Sequence, residues 1–411
     1  MTGATTAAQT RDFCLLELGP DRMVELGHAR ICKDGERAAG DTVRLRRIPA
    51  EDRAVVVLSD GLGSGVKAGV LSSLTATMAM EYVSSALDPE RVAGIITRTL
   101  PECRTRKIRY ATFTAMNVRA SGICDVVNYD NPGPFLVDER GCETVSLPSR
   151  EIAGAATRRR HAQAGHLELS LGQYLVTVSD GVTQAGMGTR RHPFGWGVEG
   201  LRGFLHETVR REAGISGQEL AERVVARAKS IDAGRPKDDI SCAVVYLRRP
   251  RRLILVTGPP IDPDRDREIA ETLDNFPGQR IIAGGTTANL IARELGREVD
   301  VCLGERDPEI PPASSMEGTD LVTEGTITMS RVLELLEGEA DLQSLGRNGA
   351  TRMLEALLAG DEIHMLVGTK INEAHQNPAV PVELEIRRNV MKRIRRALEE
   401  RYLKQTYLRF V

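Results

Sequence analysis

The sequence predicts an α+β domain followed by a smaller α/β domain, and three observations predict it. Short apolar runs rich in β-branched residues recur through the first 250 residues. They stand as neighbours on both sides of a helix-rich middle and do not alternate strictly with helices. After Arg248–Arg252, an Arg-Arg-Pro-Arg-Arg run that follows an apolar segment, the pattern changes to strands that run into Gly/Pro loops. The expected domains are therefore residues 1–249 and 250–411.

Taken in order, Ala54–Leu58, Ala111–Val118, Gly122–Asn128, Tyr174–Val178 and Ile240–Leu247 read as strands. Gly65–Ser85 reads as a helix whose apolar face is Leu71, Leu74, Met78 and Tyr82, spaced by three and four. Asp88-Pro89 ends it, and a second helical stretch runs from Glu90 to Leu100. Gly217–Ile231 is helical by the same spacing of Leu220, Val224, Ala228 and Ile231. Beyond residue 250, Leu253–Thr257 and Arg280–Ala283 read as strands, and Thr287–Leu295 as a helix ended by Gly296. From Val382 onward, Ile386, Val390, Ile394 and Leu398 mark a long amphipathic helix. Val382–Val411 holds nine Lys/Arg against four Asp/Glu, so it presents either a solvated basic face or a docking surface for an acidic partner.

Composition removes several classes of function. With 55 Lys+Arg against 57 Asp+Glu, no global charge draws the chain to nucleic acid or to a membrane surface. No apolar run approaches a membrane span of about 18 residues, and Met1–Thr10 lacks the order of a secretory signal, so a cytoplasmic protein is expected. The seven cysteines are scattered and never form C-x-x-C, which argues for buried thiols over disulfides or zinc. The histidines form no metal-ligand cluster either. A bound metal would have to be held by oxygen.

Oxygen ligands are abundant at strand ends. Asp60-Gly61 follows Val55–Ser59, Asp180-Gly181 follows the run ending at Ser179, and Asp238-Asp239 precedes Ile240, with Asp41 in an earlier Gly-Asp-Thr-Val. A carboxylate at a strand end followed by glycine is held rigidly while its carbonyl stays accessible. Several such groups converging make an all-oxygen site suited to Mg²⁺ or Mn²⁺. Each Ser-Asp-Gly taken alone is equally an Asp-Gly turn; its recurrence after two similar strands weakens that reading. Gly61, Gly63 and Gly65 fit neither the dinucleotide nor the P-loop fingerprint. Cys103 and Arg109 stand at phosphatase-loop spacing, without the small residues between them that cradle a phosphate.

The order Gly-Asp-Thr-Val, Ser-Asp-Gly-Leu-Gly-Ser-Gly, Asn131–Pro134 with Gly133 central, Ser-Asp-Gly-Val-Thr, Phe194-Gly195 and Asp-Asp-Ile-Ser resembles the PPM (protein phosphatase 2C-like) family. It is most similar to the branch of SpoIIE and the stress-response phosphatases, across roughly residues 10–248. The resemblance implies a β-sandwich flanked by helices, with two Mn²⁺ or Mg²⁺ ions in a cleft at one edge. It implies that Asp60 bridges the ions and the Gly61 carbonyl ligates one. Asp180 and Asp238 complete the set, and Asp41 orients water. Asp238 is favoured over Asp239, whose alternative is a solvated turn acid. The implied activity is hydrolysis of phosphoserine or phosphothreonine on a bacterial signalling protein, by resemblance an anti-sigma-antagonist-like one, with a homodimer as a further expectation. Arg44, Arg46 and Arg47 lie near Asp41, but none is a secure phosphate grip, so affinity is expected from protein docking.

The second domain is expected to regulate the first or to bind a ligand. Backbone amides at Gly284, Gly285, Thr286 and Thr287 could hold an anion at a helix N-terminus, or Thr286 or Thr287 could simply cap that helix. Asp320, Glu324, Lys370 and His375 are expected along the same strand-end cleft. Two other readings stay open: a non-catalytic phosphatase fold that only binds, and a second enzyme in residues 250–411 acting on a small phosphorylated molecule.

Overall fold

The computed structural model of the chain describes residues 16, 18–48, 51–85, 89–99, 111–152, 160–301, 310–338, 346–370 and 380–411. They form two compact units, one spanning Arg22–Arg249 and the other joining Pro250–Val411 to the N-terminal segment that ends at Asp21. A first domain running from residue 1 was expected, but this segment belongs to the second unit for a local reason. Arg252 donates to the carbonyls of Gly19 and Pro20 and pairs with Asp21, while Glu362 accepts the Gly19 N–H. Among the described residues no helix is long and apolar enough to cross a membrane.

The first unit begins with strands β1 (Met23–Ile31), β2 (Thr42–Ile48) and β3 (Arg53–Gly61), then helices α1 (Gly65–Ser84) and α2 (Pro89–Thr99). Strands β4 (Ala111–Arg119), β5 (Ile123–Tyr129), β6 (Phe135–Val137), β7 (Cys142–Thr144), β8 (Ser149–Ile152), β9 (Arg160–Glu168) and β10 (Tyr174–Val178) follow. Helices α3 (Asp180–Thr183), α4 (Gly197–Arg211) and α5 (Gly217–Ile231) lead to the closing strand β11 (Ile240–Arg248). The strands form two antiparallel sheets, ordered β1-β11-β10-β6-β7 and β2-β3-β4-β5-β9-β8. This is an α+β sandwich with helices outside it.

The period of two along β3 shows why it is buried on both faces. Ala54, Val56 and Leu58 meet Ala243, Val245 and Leu247 of β11 between the sheets. Val55 and Val57 point the other way, onto Ala76, Ala79 and Met80 of α1. Helices α4 and α5 cover the far face of the other sheet through Leu201, Leu205, Leu220 and Val224. Helix α1 has the expected length but not the expected face. Its buried side is Ala68, Ser72, Thr75, Ala76, Ala79, Met80 and Val83, whereas Leu74 is 50% exposed and Leu71, Met78 and Tyr82 are half-buried. The small side goes inward because the helix passes very close to the loop below it. An added Cβ on Gly69 would lie 2.7 Å from the Ala39 carbonyl oxygen.

The second unit contains β12 (Arg252–Thr257), α6 (Asp266–Asp274), β13 (Gln279–Ala283), α7 (Gly285–Leu295), β14 (Val299–Val301), β15 (Ser314–Met316) and β16 (Leu321–Thr323). It ends with α8 (Thr326–Glu337), α9 (Gly349–Ala359), β17 (Glu362–Val367), α10 (Val380–Glu400) and β18 (Gln405–Phe410). Its sheet is ordered β14-β15-β16-β13-β12-β17-β18, and the five strands from β16 to β18 are parallel. Helices α6 and α7 pack on one face, and α8, α9 and α10 on the other. The chain winds outward from β12 and then crosses to β17, which makes a doubly wound sheet with its switch point between those two strands.

Of the cysteines, Cys124 and Cys242 are buried and Cys32 and Cys142 half-buried, all as free thiols. Cys14, Cys103 and Cys302 lie outside the described residues. The Arg-Arg-Pro-Arg-Arg run is not a solvated charge cluster throughout. Arg248 is buried against Glu25, and Arg252 against Glu362.

Candidate functional site

Sheet register brings the acidic motifs together. In the β2–β3 ladder Thr42 stands opposite Ser59, so Asp41 and Asp60 extend from adjacent strand ends. In the β10–β11 ladder Val178 stands opposite Cys242, and Ser179 donates its N–H to the Ser241 carbonyl, so Asp180 meets the Asp238-Asp239 turn. Two glycines permit the approach. A Cβ on Gly61 would lie 2.2 Å from the Ala68 carbonyl oxygen of α1, and one on Gly181 would lie 2.1 Å from that of Asp239. Glycine is thus required in both Ser-Asp-Gly motifs because backbone passes against backbone.

The electrostatics report the same convergence. Burial, then the neighbouring charges of Asp41, Asp180 and Asp238, push the Asp60 carboxyl up to about 9. A hydrogen bond with the Asp180 carboxyl raises it further. Asp41 is pushed up to about 7, chiefly by burial, with the Asp239 and Asp180 charges adding and the nearby Ser241 and Ser179 hydroxyls opposing. It is 1% exposed, yet neither carboxylate oxygen reaches a hydrogen-bonding geometry with any described residue. Asp238 is half-buried and also raised, by burial and by Asp180, against the pull of the Asp239 N–H and Lys33. Asp180 accepts from the Gln184 side chain at 2.8 Å.

These donors fit hard divalent cations: they are all carboxylate oxygens, they repel one another, and Asp41 holds two buried oxygens without a partner. Among the described residues no three His, Cys, Asp or Glu side chains close around a single point, so the carboxylates meet pairwise and form no ready cage. Mg²⁺ keeps several waters and is ordinarily held by one or two carboxylates, which suits a pairwise arrangement.

Asp238 and Asp239 separate clearly. Asp239 is 4% exposed, so it is no solvated turn acid. Its Oδ1 accepts the Lys33 N–H at 3.1 Å and its Oδ2 the Gly40 N–H at 2.9 Å. The carboxylate thereby pins the 33–40 loop that carries Asp41. Asp239→Ala is expected to cost about 2–4 kcal/mol, the loss of two charge-assisted hydrogen bonds at a buried site. Asp238→Asn should leave the metal-free melting temperature nearly unchanged and reduce only the rise produced by Mn²⁺. Thermal unfolding with and without Mn²⁺ checks both, and equal behaviour of the two variants would refute the division of roles.

Further residues support the site; Asn131, Phe194 and Gly195 belong to motifs legible in the sequence, whereas Thr112, Thr114 and Asp232 carry no such signal. Asn131 accepts from the Thr112 hydroxyl and donates to that of Thr114, which in turn donates to Asn128. Thr112 is the ladder partner of Asp60, so this buried network fixes the strand beside it. Asp232 holds Gly186 and Lys237 by their N–H groups, bracing the segments after Asp180 and before Asp238. Phe194 is 89% exposed, while Gly195 packs against the Thr183 and Gln184 backbone behind Asp180. Arg46 is paired with Glu81, and Arg47 donates to the Val24 carbonyl, which removes both as phosphate grips.

In the second unit the expected ligand residues have local partners. Gly284, at φ 120°, is the N-cap of α7, and neither threonine caps it. Thr287 is buried and accepts the Gly258 N–H at 2.8 Å; Gly285 and Thr286 are exposed. Asp320 sits at the opposite end of the sheet from the expected cleft, because it precedes β16 and accepts the Arg280 N–H where β13 begins. Glu324 does follow β16, and its carboxylate caps α8 through the Ile327 and Thr328 N–H groups. Lys370 donates its N–H to the Pro259 carbonyl, and His375 lies outside the described residues.

Residues 50–248 match the family model for stage II sporulation protein E (SpoIIE). The match lies within the first unit and covers just under half of the chain. Among solved structures, the chain is similar to the PP2C phosphatase domain, with a fragment of the regulatory domain, of SpoIIE from Bacillus subtilis. The identity is 19% and the TM-score 0.46, over 56% of this chain and 64% of that one. The RsbU and RsbW domains of a Mycobacterium tuberculosis protein match at 16% identity and a TM-score of 0.43, over 61% and 67%. RsbX in complex with magnesium matches at 18% identity and a TM-score of 0.39, over 56% and 98%. No curated protein matches the chain.

Proposed function

We propose that the first unit, which matches the SpoIIE family model, is a metal-dependent phosphatase of the PP2C-like kind that hydrolyses phosphoserine or phosphothreonine on a cytoplasmic signalling protein. The observation that carries the reading is the convergence of Asp41, Asp60, Asp180 and Asp238 on one edge of the sandwich. Asp60 and Asp180, in contact with each other, would share the cations, with Asp238 completing one side. Bound Mn²⁺ or Mg²⁺ supplies charge neutralisation for the phosphoryl oxygens and an activated water. Asp41 would accept a hydrogen bond from the attacking water at one of its free carboxylate oxygens, fixing its line of approach. The Asn131 network and Asp239 would keep Asp60 and Asp41 at their separation through the reaction. The new bond joins the water oxygen to phosphorus as the phosphorus–seryl oxygen bond breaks. The seryl oxygen leaves with a proton, giving a serine hydroxyl and inorganic phosphate.

All four acids are present along that edge, which speaks against a purely binding role. The test is hydrolysis of p-nitrophenyl phosphate by the full chain. Turnover is expected with Mn²⁺ or Mg²⁺, loss of it in EDTA, and recovery when either metal is added back. A pure, folded chain that stays inactive with both metals would overturn the reading. The partner would be a regulatory phosphoprotein.

A further inference from the structure

Helix α1 leaves an apolar stripe uncovered beside a row of arginines, and both line a groove that reaches Asp41. Val66, Val70 and Leu74 are 70%, 62% and 50% exposed, and steps of four residues set them along one side of the helix. The groove has a volume of about 880 Å³ and is lined by these three, by Arg30, Arg37 and Arg44, and by Asp41. Arg30 donates to the Asp41 backbone carbonyl at 3.3 Å and Arg44 to the Ser73 hydroxyl at 3.4 Å. Among the described residues, none of the three arginines has a carboxylate within ion-pair distance. Among the described residues, Asp41 is the only acid on the lining, and it is buried.

We propose that this groove docks an acidic, leucine-bearing segment of the phosphoprotein substrate; the proposal rests on the phosphatase reading. The arginines pair with the carboxylates of the segment, and the α1 stripe takes its apolar side chains. Because the groove runs along the residues that flank Asp41, a seated segment lies beside the strand start that carries this acid. Charge selects this occupant over a second copy of the chain: a two-fold contact through this face would set arginines against arginines.

Two fluorescein-labelled phosphoserine peptides test it by anisotropy, with the full chain in EDTA so that nothing is hydrolysed. One peptide carries Asp, Glu and Leu around the phosphoserine; the other has Lys at the acidic positions and Ser for Leu. The acidic peptide is expected to bind about tenfold more tightly, a preference that shrinks when salt rises from about 0.05 M to about 0.5 M. The double variant Arg37→Glu/Arg44→Glu, at two exposed positions, should reverse the order. Leu74→Asp should weaken the acidic peptide by about fivefold. Equal binding of the two peptides to the wild type, or a preference that survives charge reversal, overturns the proposal. So does a dimer in sedimentation that Leu74→Asp splits while no peptide preference exists, since the second copy is then the occupant. Hydrolysis of p-nitrophenyl phosphate reports on the phosphatase reading separately, because the binding measurement needs neither metal nor turnover.

Discussion

Asp60→Asn is expected to lower kcat/KM on p-nitrophenyl phosphate by at least about a thousandfold, at any Mn²⁺ concentration. Asp60 meets more of the site than any other residue: Asp41, Asp180 and Asp238 all act on its carboxyl. A neutral amide there removes the charge that neighbouring cations would share, and it adds N–H donors where only acceptors are useful. The fold should not suffer. Asparagine keeps the shape and relieves repulsion within a cluster that burial already disfavours as charged. The metal-free melting temperature should therefore hold or rise, while the rise produced by Mn²⁺ in the wild type disappears, since a ligand stabilises only in proportion to its affinity. Activity assays and melts with and without Mn²⁺ read both effects. Wild-type turnover by this variant would remove Asp60 from the metal site. A large fall in the metal-free melting temperature would mean that the carboxylate is structural instead.

What the sequence makes readable is local chemistry, and what it hides is contact at a distance. The acidic motifs can be read because each is a contiguous unit: an apolar strand, then Asp-Gly, or Asp-Asp and then a strand. Their convergence follows from the antiparallel pairing of β2 with β3 and of β10 with β11. Asp238 and Asp239 cannot be told apart by type or spacing; the difference is that the amides of Lys33 and Gly40 come to Asp239 from two hundred residues away in sequence. The face of α1 is misread for a related reason. Spacing identifies Leu71, Leu74, Met78 and Tyr82 as an apolar row, but the row that fits beneath the helix is the small one. Over the first turns of the helix the carbonyl of Ala68 passes so near Gly61 that only small residues fit on the inward side, and the larger Met80 and Val83 enter it further along. Strands of three or four residues, such as β6, β7, β8 and β14 to β16, are shorter than the periods that reveal strands. The doubly wound order of the second sheet is likewise a matter of which strand lies beside which, and no local pattern encodes it.

Glu362→Gln is expected to destabilise the second unit by about 3–5 kcal/mol, the cost of stripping one partner from a buried ion pair. Glu362 is 2% exposed and stands at the start of β17. Its Oε2 accepts from Arg252 Nε at 2.9 Å, and its Oε1 takes both the Gly19 N–H at 2.9 Å and His364 Nε2 at 2.7 Å. Glutamine keeps the volume but carries no charge, and one of its two termini can only donate, towards groups that also donate. Among the described residues, Arg252, 9% exposed, would keep only the exposed carboxylate of Asp21 as a charge partner. Acid should reproduce the effect in the wild type. Burial pushes the Glu362 carboxyl up, but the His364 ring, the Gly19 amide and Arg252 outweigh it and hold the group down to about 2, against 4.5 when unfolded. The unfolded chain thus binds the proton first as pH falls. The stability contributed by this carboxylate is complete above about 4.5 and is lost progressively towards about 2. The gap between wild type and Glu362→Gln should therefore be widest near neutrality and narrow across that window. Hydrogen exchange of the β12 and β17 amides, measured on the full chain from pH 7 down to about 3, follows the second unit apart from the first. A gap that stays constant over that range would show that the variant acts by packing and not through the charge.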